Sequence, residues 1–470
     1  MKNKPLMILA LCLVLGLGQS ALAANESVDI VVVGAGGAGL AAAIEASTSG
    51  ASVILLEKMA FPGGSTVISG GATIAAESSI QKALEVDATA QDFFDFLMAE
   101  ADGEANSAYL MNLAVMSGET VDILAELGVP WNDERAGAGT PFSDKRFVHS
   151  VVGGGPELVR SMREIALEQG VDLRLESPAV GLLTDESGVV GVAVEGPSGA
   201  YEIQAQKVIL ATGSIAGNQE LMEELALPFL NNLDLTGTGN TGDGMVWARE
   251  IGADVVGQGV IGIRGVNERY GYYGPVGGLV YGSGLYVNLN GERFANERMF
   301  YPLFHVEINN QPGKITYAIF DETMHSEALD QAVAEGLAFK ADTLEALAMK
   351  ASMNPEAFAA TIEQYNQFYK AEDDKAFGSP ADRMTPIFEA PFYAVTARPA
   401  LIGTIPGLKL DAEGRVVDTE GSAIPNLFAA GDLILGNVFK DTYPTSGGGV
   451  GIALHSGRLA AQTAAAELKQ

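Results

Sequence analysis

Three glycines and one acid carry the first recognisable chemistry of this 470-residue chain. Gly34, Gly36 and Gly39 form a G-x-G-x-x-G turn, and Glu57 follows about 20 positions further on. The first glycine of such a turn permits the sharp reversal. The second lets the backbone approach a pyrophosphate, and the third lets helix and strand pack closely. The phosphates then lie at the positive end of a helix, and the acid takes a ribose hydroxyl. These residues imply a dinucleotide site, with NAD and FAD both open at this point.

Other chemistries find less support. The four histidines, His149, His305, His325 and His455, are far apart and show no metal-ligand spacing, so no metal is expected. Cys12 is the single cysteine and lies in the apolar leader, which leaves no thiolate, disulfide or cysteine-ligated cluster for a mature protein. One glycine-turn unit, rather than two, argues against an NAD-dependent enzyme.

The glycine turn needs a strand, a helix and a second strand to position it. Residues 29–33 are a β-branched run, 40–46 are small and apolar enough for a packed helix, and the second strand ends at Glu57. Helical periodicity follows over 90–101 and 107–127, stopped by Gly128-Val129-Pro130. Residues 132–156 read as a polar loop, and Pro156 opens a helix ending near Gly170. Short strands at 172–175, 179–185, 189–195, 200–205 and 207–211 form a meander appended to the sheet. The run 208–213 ends in Ala211-Thr212-Gly213, small residues where a backbone must come close to a nucleotide. Asp243 either caps the helix over 245–251 or touches the adenosine end of a cofactor.

From about residue 256 the composition changes. Tyr270, Tyr272, Tyr273, Tyr281 and Tyr286 crowd among glycines, and Asn354-Pro355-Glu356 starts a helix through 358–370. This section reads as an inserted lid. Near residue 400 the glycine-turn style resumes, and Ser446 to Gly451 opens an alanine-rich final helix. The expected class is α/β: a Rossmann-like FAD-binding domain with a β-meander, interrupted by an α+β capping domain. Its expected divisions are 1–23, 24–255, 256–402 and 403–470.

Lys2 and Lys4, an apolar run over 6–17 and Ala21-Leu22-Ala23 have the pattern of a secretory signal peptide, and imply a periplasmic product starting at Ala24. No later stretch is long enough to span a membrane. With 28 basic and 59 acidic residues the formal charge is −31, which argues against nucleic acid and anionic membranes and favours a basic partner such as an electron-transfer protein.

Taken together, the opening turn, Gly63-Gly64-Ser65-Thr66, Ser69-Gly70-Gly71, Ala211-Thr212-Gly213, Thr241-Gly242-Asp243-Gly244, the run from Gly291 to Glu297, and Ala430-Gly431-Asp432 resemble the fumarate reductase and 3-ketosteroid dehydrogenase superfamily of FAD enzymes. The blocks follow the family's order over essentially the whole mature chain. The resemblance implies a substrate held between FAD domain and cap. It places Glu57 at the ribose, Ser65 and Thr66 near phosphates and flavin, Gly70 and Gly71 beside the ring, and Asp432 on the ribityl chain. The rest of the implied cofactor set is Gly34, Gly36, Gly37, Gly39, Lys58, Gly63, Gly64, Ser69, Val180, Ala211, Thr212, Gly213, Asp243, Gly431, Ser446, Gly449 and Val450. No histidine lies in 63–71, so FAD held without a covalent link is expected.

The substrate positions depart from fumarate reductase. Tyr301 stands where those enzymes place a proton-donating arginine, and the neighbourhood of the second substrate arginine reads Tyr443-Pro444-Thr445-Ser446-Gly447. A dicarboxylate needs fixed cations, so fumarate is not the expected substrate. The same positions look like ketosteroid dehydrogenases, and the likeness implies three roles. Tyr301 exchanges a proton at the carbon alpha to a carbonyl, and Tyr443 and the Gly447 N–H hold the carbonyl oxygen. A free tyrosine needs its pKa lowered for that work, and Arg298 is the candidate for lowering it, with a structural ion pair as the other reading. The expected function is an exported ene-reductase of an unsaturated carbonyl compound, fed by a separate periplasmic cytochrome. Dehydrogenation of a neutral ketone is the alternative. A flavin-binding electron-transfer subunit with no substrate pocket is the reading from another class.

Overall fold

The computed structural model describes residues 26–101, 105–133, 143–271, 273–281 and 284–469. Residues 1–25, where a signal peptide is expected, Tyr272 and part of the 132–156 loop lie outside the described residues.

The strand Glu26–Val33 has β-branched residues on both faces. Ile30 and Val32 join one core with Leu40 and Leu454, while Val31 and Val33 join another with Leu110 and Phe147. A strand buried on both sides belongs in the middle of a parallel sheet covered by helices. Accordingly it pairs in parallel with Val53–Leu56 on one side and Gly199–Leu210 on the other. The spatial order is Arg415–Val417, Ala423–Ala429, Gly199–Leu210, Glu26–Val33, Val53–Leu56 and Asp172–Arg174. The antiparallel strands Ala179–Asp185 and Gly188–Gly196 complete this eight-stranded sheet.

One difference from the expected strands is instructive. Residues 200–205 and 207–211 are not two strands but one, Gly199–Leu210. Its first half pairs with Gly188–Gly196 and its last three residues with Ala423–Ala429, while Glu26–Val33 runs along its other edge. The pairing changes; the strand does not break. The helix expected from Pro156 also starts earlier, at Gly154, because Gly153 and Gly154 both adopt positive φ.

The helix Gly37–Thr48 lies against the closing helix Gly448–Glu467. Contact is close enough that a Cβ on Gly457 would stand 2.2 Å from the Ala38 carbonyl oxygen.

A second sheet follows the order Val260–Gly265, Phe392–Thr404, Thr316–Phe320 and Leu285–Asn288, with Ala338–Ala341 and Leu233–Asp234 also paired to the long strand. Helix Pro355–Ala371 packs beside it, and Asn354 caps that helix through its side chain and the Ala357 N–H at 3.1 Å. Where the chain passes between the sheets, Val255–Val256 pairs with Gly407–Leu408. Among the described residues no helix is long and apolar enough to cross a membrane.

Candidate active site

At the carboxyl ends of the parallel strands a cavity of about 840 Å³ runs from the glycine turn to the second sheet. Ligands of open α/β sheets bind at this end, and the volume is near the top of the ~300–1,000 Å³ range of ligand pockets. Strand Glu26–Val33 delivers Gly34 at φ +102°, pressed so closely on the next strand that a Cβ would lie 2.4 Å from the Ala211 carbonyl oxygen. Gly39 does not reach the cavity. Its added Cβ would stand 1.8 Å from the Gly34 oxygen, so it is the close contact between helix and turn.

Glu57, buried at the end of the second strand, accepts hydrogen bonds from the Ala35 and Met59 N–H groups at 3.0 and 2.8 Å, one on each carboxylate oxygen. Each oxygen keeps a lone pair for a further donor from the cavity. Lys58 binds Asp243 at 2.7 Å and Thr241 at 2.5 Å. Asp243 is therefore not the helix cap: Gly242, in the left-handed region, precedes the helix, and Asp243 opens its first turn paired to Lys58.

The Ser65 hydroxyl accepts from Gly237 N–H and Asn240 Nδ2, while the Thr66 hydroxyl accepts from Gly37 N–H at 3.2 Å. Ser69 donates to the Thr66 carbonyl at 2.7 Å. These bonds fix the short helix Gly64–Val67 beneath the cavity. Asn240 was not foreseen: its Oδ1 accepts from Ser214 N–H, and a Cβ on Gly213 would fall 1.9 Å from that oxygen.

Asp432 lies deep in the protein with part of its surface open to the cavity, and no hydrogen bond or ion pair to its carboxylate occurs among the described residues. Burial alone pushes its pKa up to about 7. Such an acid suits a ligand hydroxyl.

At the far end stand Tyr301 and Tyr443, ring centroids 6.4 Å apart. Tyr301 opens helix Tyr301–Asn309, and its hydroxyl is 3.5 Å from that of Ser446. The Tyr443 oxygen accepts from the Gly449 N–H at 2.9 Å, in the first turn of the closing helix, whose N-cap is Gly447 at φ +84°. Burial raises both tyrosine pKa values, and Ser446 partly offsets this at Tyr301, as the helix N–H groups do at Tyr443. Ile261, Ile263, Ile402, Tyr273 and Tyr281 complete this apolar end. The sequence signal for Tyr273 and Tyr281 was the tyrosine crowd; nothing local marked the three isoleucines.

The cavity brings together Gly34, Gly36, Gly37, Glu57, Lys58, Gly64, Ser65, Thr66, Ser69, Gly70, Ala211, Thr212, Gly213, Asp243, Gly431, Asp432, Ser446, Gly447, Gly449, Val450, Tyr301 and Tyr443. It leaves out Gly39, Gly63, Gly71, Val180 and Arg298. Gly63 and Gly71 adopt positive φ and pack against Val67 and Gly154 respectively. Val180 turns its side chain outward, since strand alternation gives the inward place to Ala179. Arg298 is exposed and donates to the Arg383 carbonyl at 2.7 Å, away from Tyr301, and contributes nothing to the Tyr301 pKa. His149 and His305 are satisfied core histidines, bonded to Ser78 and Asn232. No metal-binding cluster occurs among the described residues.

The family model described as "FAD binding domain" matches residues 29–450. The chain belongs to this FAD-binding family. It is 32% identical to a probable fumarate reductase, Ifc3, of Shewanella frigidimarina, over 88% of this chain and 71% of that protein. To the vinyl phenol reductase of Lactiplantibacillus plantarum it is 30% identical, over 94% of this chain and 97% of that one. Among solved structures, an open flavocytochrome c3 fumarate reductase superposes with TM-score 0.80 at 29% identity, covering 95% of this chain and 79% of that one. The fold is shared with a 3-ketosteroid dehydrogenase of Rhodococcus jostii at TM-score 0.75 and 24% identity, with 95% and 99% covered. The chain is thus an FAD oxidoreductase of a family that acts on carbon–carbon double bonds. The residues present fit that cofactor: a helix N-terminus at one end, an unpartnered carboxylate midway, and a volume that holds cofactor and substrate together.

Proposed function

We propose that this protein is an exported FAD-dependent reductase of carbon–carbon double bonds conjugated to a carbonyl or aryl group, and that its substrate is not a dicarboxylate. The observation that carries this is the make-up of the cavity's far end. The lining cations among the described residues are Lys58 and Arg269. Lys58 is committed to Asp243, and the Arg269 side chain is 73% exposed and leans to Glu335. Two carboxylates buried against isoleucine and tyrosine without fixed cations carry a penalty of several kcal/mol each. The relative matched almost end to end is named for a vinyl phenol, which agrees with an apolar, aromatic pocket.

In this reading Gly36 and Gly37 meet the pyrophosphate, Glu57 the ribose, and Asp432 a ribityl hydroxyl. FAD, held without a covalent bond, supplies the hydride for the beta carbon. Tyr301 delivers the proton to the alpha carbon, while Tyr443 and the Gly447 N–H hold the electron-rich end of the substrate. Preorganised donors of that kind supply roughly 10²–10³ in rate each.

The test is reoxidation of dithionite-reduced protein by fumarate, an aryl enoate, 4-vinylphenol and an aryl enone in parallel. The expected outcome is that one of the last three reoxidises the flavin at least about tenfold faster than fumarate, the scale of about 1.4 kcal/mol. Fumarate as the fastest acceptor overturns the proposal. Chromophore released by acid precipitation checks the non-covalent link.

The tyrosine pair also supports a second reading, dehydrogenation of a neutral ketone. Bleaching of oxidised protein by a saturated ketone, with no enone reduction, favours it. A cavity walled by both tyrosines counts against a pocketless electron-transfer subunit. Export to the periplasm, cleavage before Ala24 and a basic cytochrome donor belong to the same proposal, and N-terminal sequencing of the exported product tests the cleavage.

A further inference from the structure

Ser446 stands where a serine would ordinarily cap a helix, and it does not cap one. The cap position of helix Gly448–Glu467 falls one residue later, on Gly447, and no side chain caps that helix. Gly447 keeps the place because its φ is +84° and an added Cβ would stand 2.8 Å from the Thr73 nitrogen. On the other side the buried Thr445 donates its hydroxyl to the Ser446 carbonyl, and its own carbonyl accepts from the Gly448 N–H, both at 3.2 Å. The backbone of Ser446 is thus held from both sides while its hydroxyl is spared. That hydroxyl lines the cavity, and its one hydrogen bond among the described residues is donated to the Tyr301 oxygen at 3.5 Å.

The two tyrosines of the site are supplied differently. The N–H groups of Gly449, Gly448 and Gly447 favour charge on the Tyr443 oxygen, against burial and Asp432. At Tyr301 burial, Tyr443 and Tyr273 all oppose charge, and Ser446 alone favours it. The Tyr301 ring is packed between neighbours, with ring centroids 4.6 Å away at Phe300 and 6.4 Å away at Tyr443. The freedom left to the phenol is the direction of its O–H. An oxygen that accepts a hydrogen bond keeps its own hydrogen to give elsewhere. With Ser446 donating from one side, the Tyr301 hydrogen turns to the cavity. Such bonds are often long before substrate binds and tighten as charge develops.

We propose that Ser446 is a positioning residue of the reaction: by donating to the Tyr301 oxygen it turns the phenol's proton to the substrate and holds the phenolate that remains. This rests on Tyr301 as the proton donor. In that step the Tyr301 O–H bond breaks and a C–H bond forms at the alpha carbon, the electron pair having arrived with the hydride at the beta carbon. Ser446 keeps its proton throughout, and the phenolate is reprotonated from solvent before the next turnover.

The experiment compares FAD-loaded Ser446→Ala, Ser446→Thr, Tyr301→Phe and the Ser446→Ala/Tyr301→Phe pair, with whichever acceptor the wild type reduces. Ser446→Ala is expected to lower kcat roughly 10–100-fold, the reach of a hydrogen bond to a charged group, with KM little changed. Ser446→Thr keeps the hydroxyl and restores most of the rate. Added to Tyr301→Phe, the alanine costs little more, because both changes remove one interaction. Full additivity in the pair overturns the proposal, since Ser446 then acts on flavin or substrate directly. So does loss of flavin from Ser446→Ala, or a faster Ser446→Ala, which would mean that Tyr301 donates to Ser446 instead. A slow Tyr301→Phe beside an unslowed Ser446→Ala sinks this inference alone, whereas an unslowed Tyr301→Phe sinks the proton-donor reading and this one with it. The infrared C–O stretch of Tyr301, taken by difference against the matching Tyr301→Phe protein, gives a readout without turnover. It should move when Ser446→Ala removes the donor, and an unmoved band overturns the proposal.

Discussion

The Tyr301 ring is packed, but its hydroxyl touches its surroundings so lightly that removing that oxygen should be read in chemistry rather than folding. Its hydroxyl makes one 3.5 Å approach, to Ser446. Tyr301→Phe should therefore leave the thermal midpoint within about a degree or two and lower kcat by about 10²–10⁴, the usual reach of a proton donor, with KM little changed. Stopped-flow reoxidation of the reduced variant checks this. Asp432 gives a stability prediction of opposite character. Its folded pKa of about 7 lies above the ordinary carboxylate value, so between pH 4 and 7 the folded state holds a proton that the unfolded state has released. Stability contributed by the protonated acid is present below that window and is lost as pH rises through it. The FAD-free Asp432→Asn variant should melt close to wild type at pH 4 and above it at pH 7.5, as differential scanning fluorimetry across pH would show. At this scale sequence reading did well where chemistry and backbone coincide and poorly where direction mattered. Glu57 and Asp432 follow strands whose ends are legible. Arg298 was read as a candidate for lowering the Tyr301 pKa; in the structure it donates to the Arg383 carbonyl, a direction that the sequence does not encode.

Elements were legible in proportion to how local their causes are. The helix after Asn354 announced itself because a side-chain cap and a proline act within one turn. The glycine turn did so because only glycine tolerates φ +102° beside a carbonyl. Gly199–Leu210 was misread as two strands because its change of pairing is a tertiary event, placed by the returning Ala423–Ala429. Of the two roles open to Asp243, the cap position falls to Gly242, and Asp243 pairs with Lys58 in the cavity wall. The turn itself offers a sharp test. Gly39→Ala drives a methyl to 1.8 Å from the Gly34 oxygen and must push helix Gly37–Thr48 off the sheet. Overpacking of this sort costs about 1–3 kcal/mol, and the displaced N-terminus should lose FAD. Gly50→Ala at the far end of the same helix meets nothing within 4 Å, and despite its positive φ should keep FAD. The ratio of flavin to protein absorbance after purification separates the two.

At the scale of the whole molecule two electrostatic terms oppose each other on acidification. A formal charge of −31 repels itself, and protonating carboxylates relieves that repulsion. Against this stand three buried histidines, His149, His305 and His455, each held neutral by burial with a pKa of about 4. Here the sign is the reverse of Asp432. Once pH falls below about 6.5 the unfolded chain takes up protons that the folded one refuses, so stability is lost progressively down to about pH 4. Each histidine withdraws up to about 3 kcal/mol, at 1.36 kcal/mol per pH unit of displacement. Relief of repulsion between surface charges is spread over distances that 0.5 M salt screens, whereas a proton refused by a core imidazole is insensitive to salt. The protein should therefore lose stability from pH 6.5 to 4.5 in high salt, and lose it more gently in low salt, where relief of repulsion partly compensates. Urea midpoints at the two ionic strengths check the ordering. His305→Asn, which can meet Asn232 with its own amide, should flatten the high-salt slope by about one histidine's share.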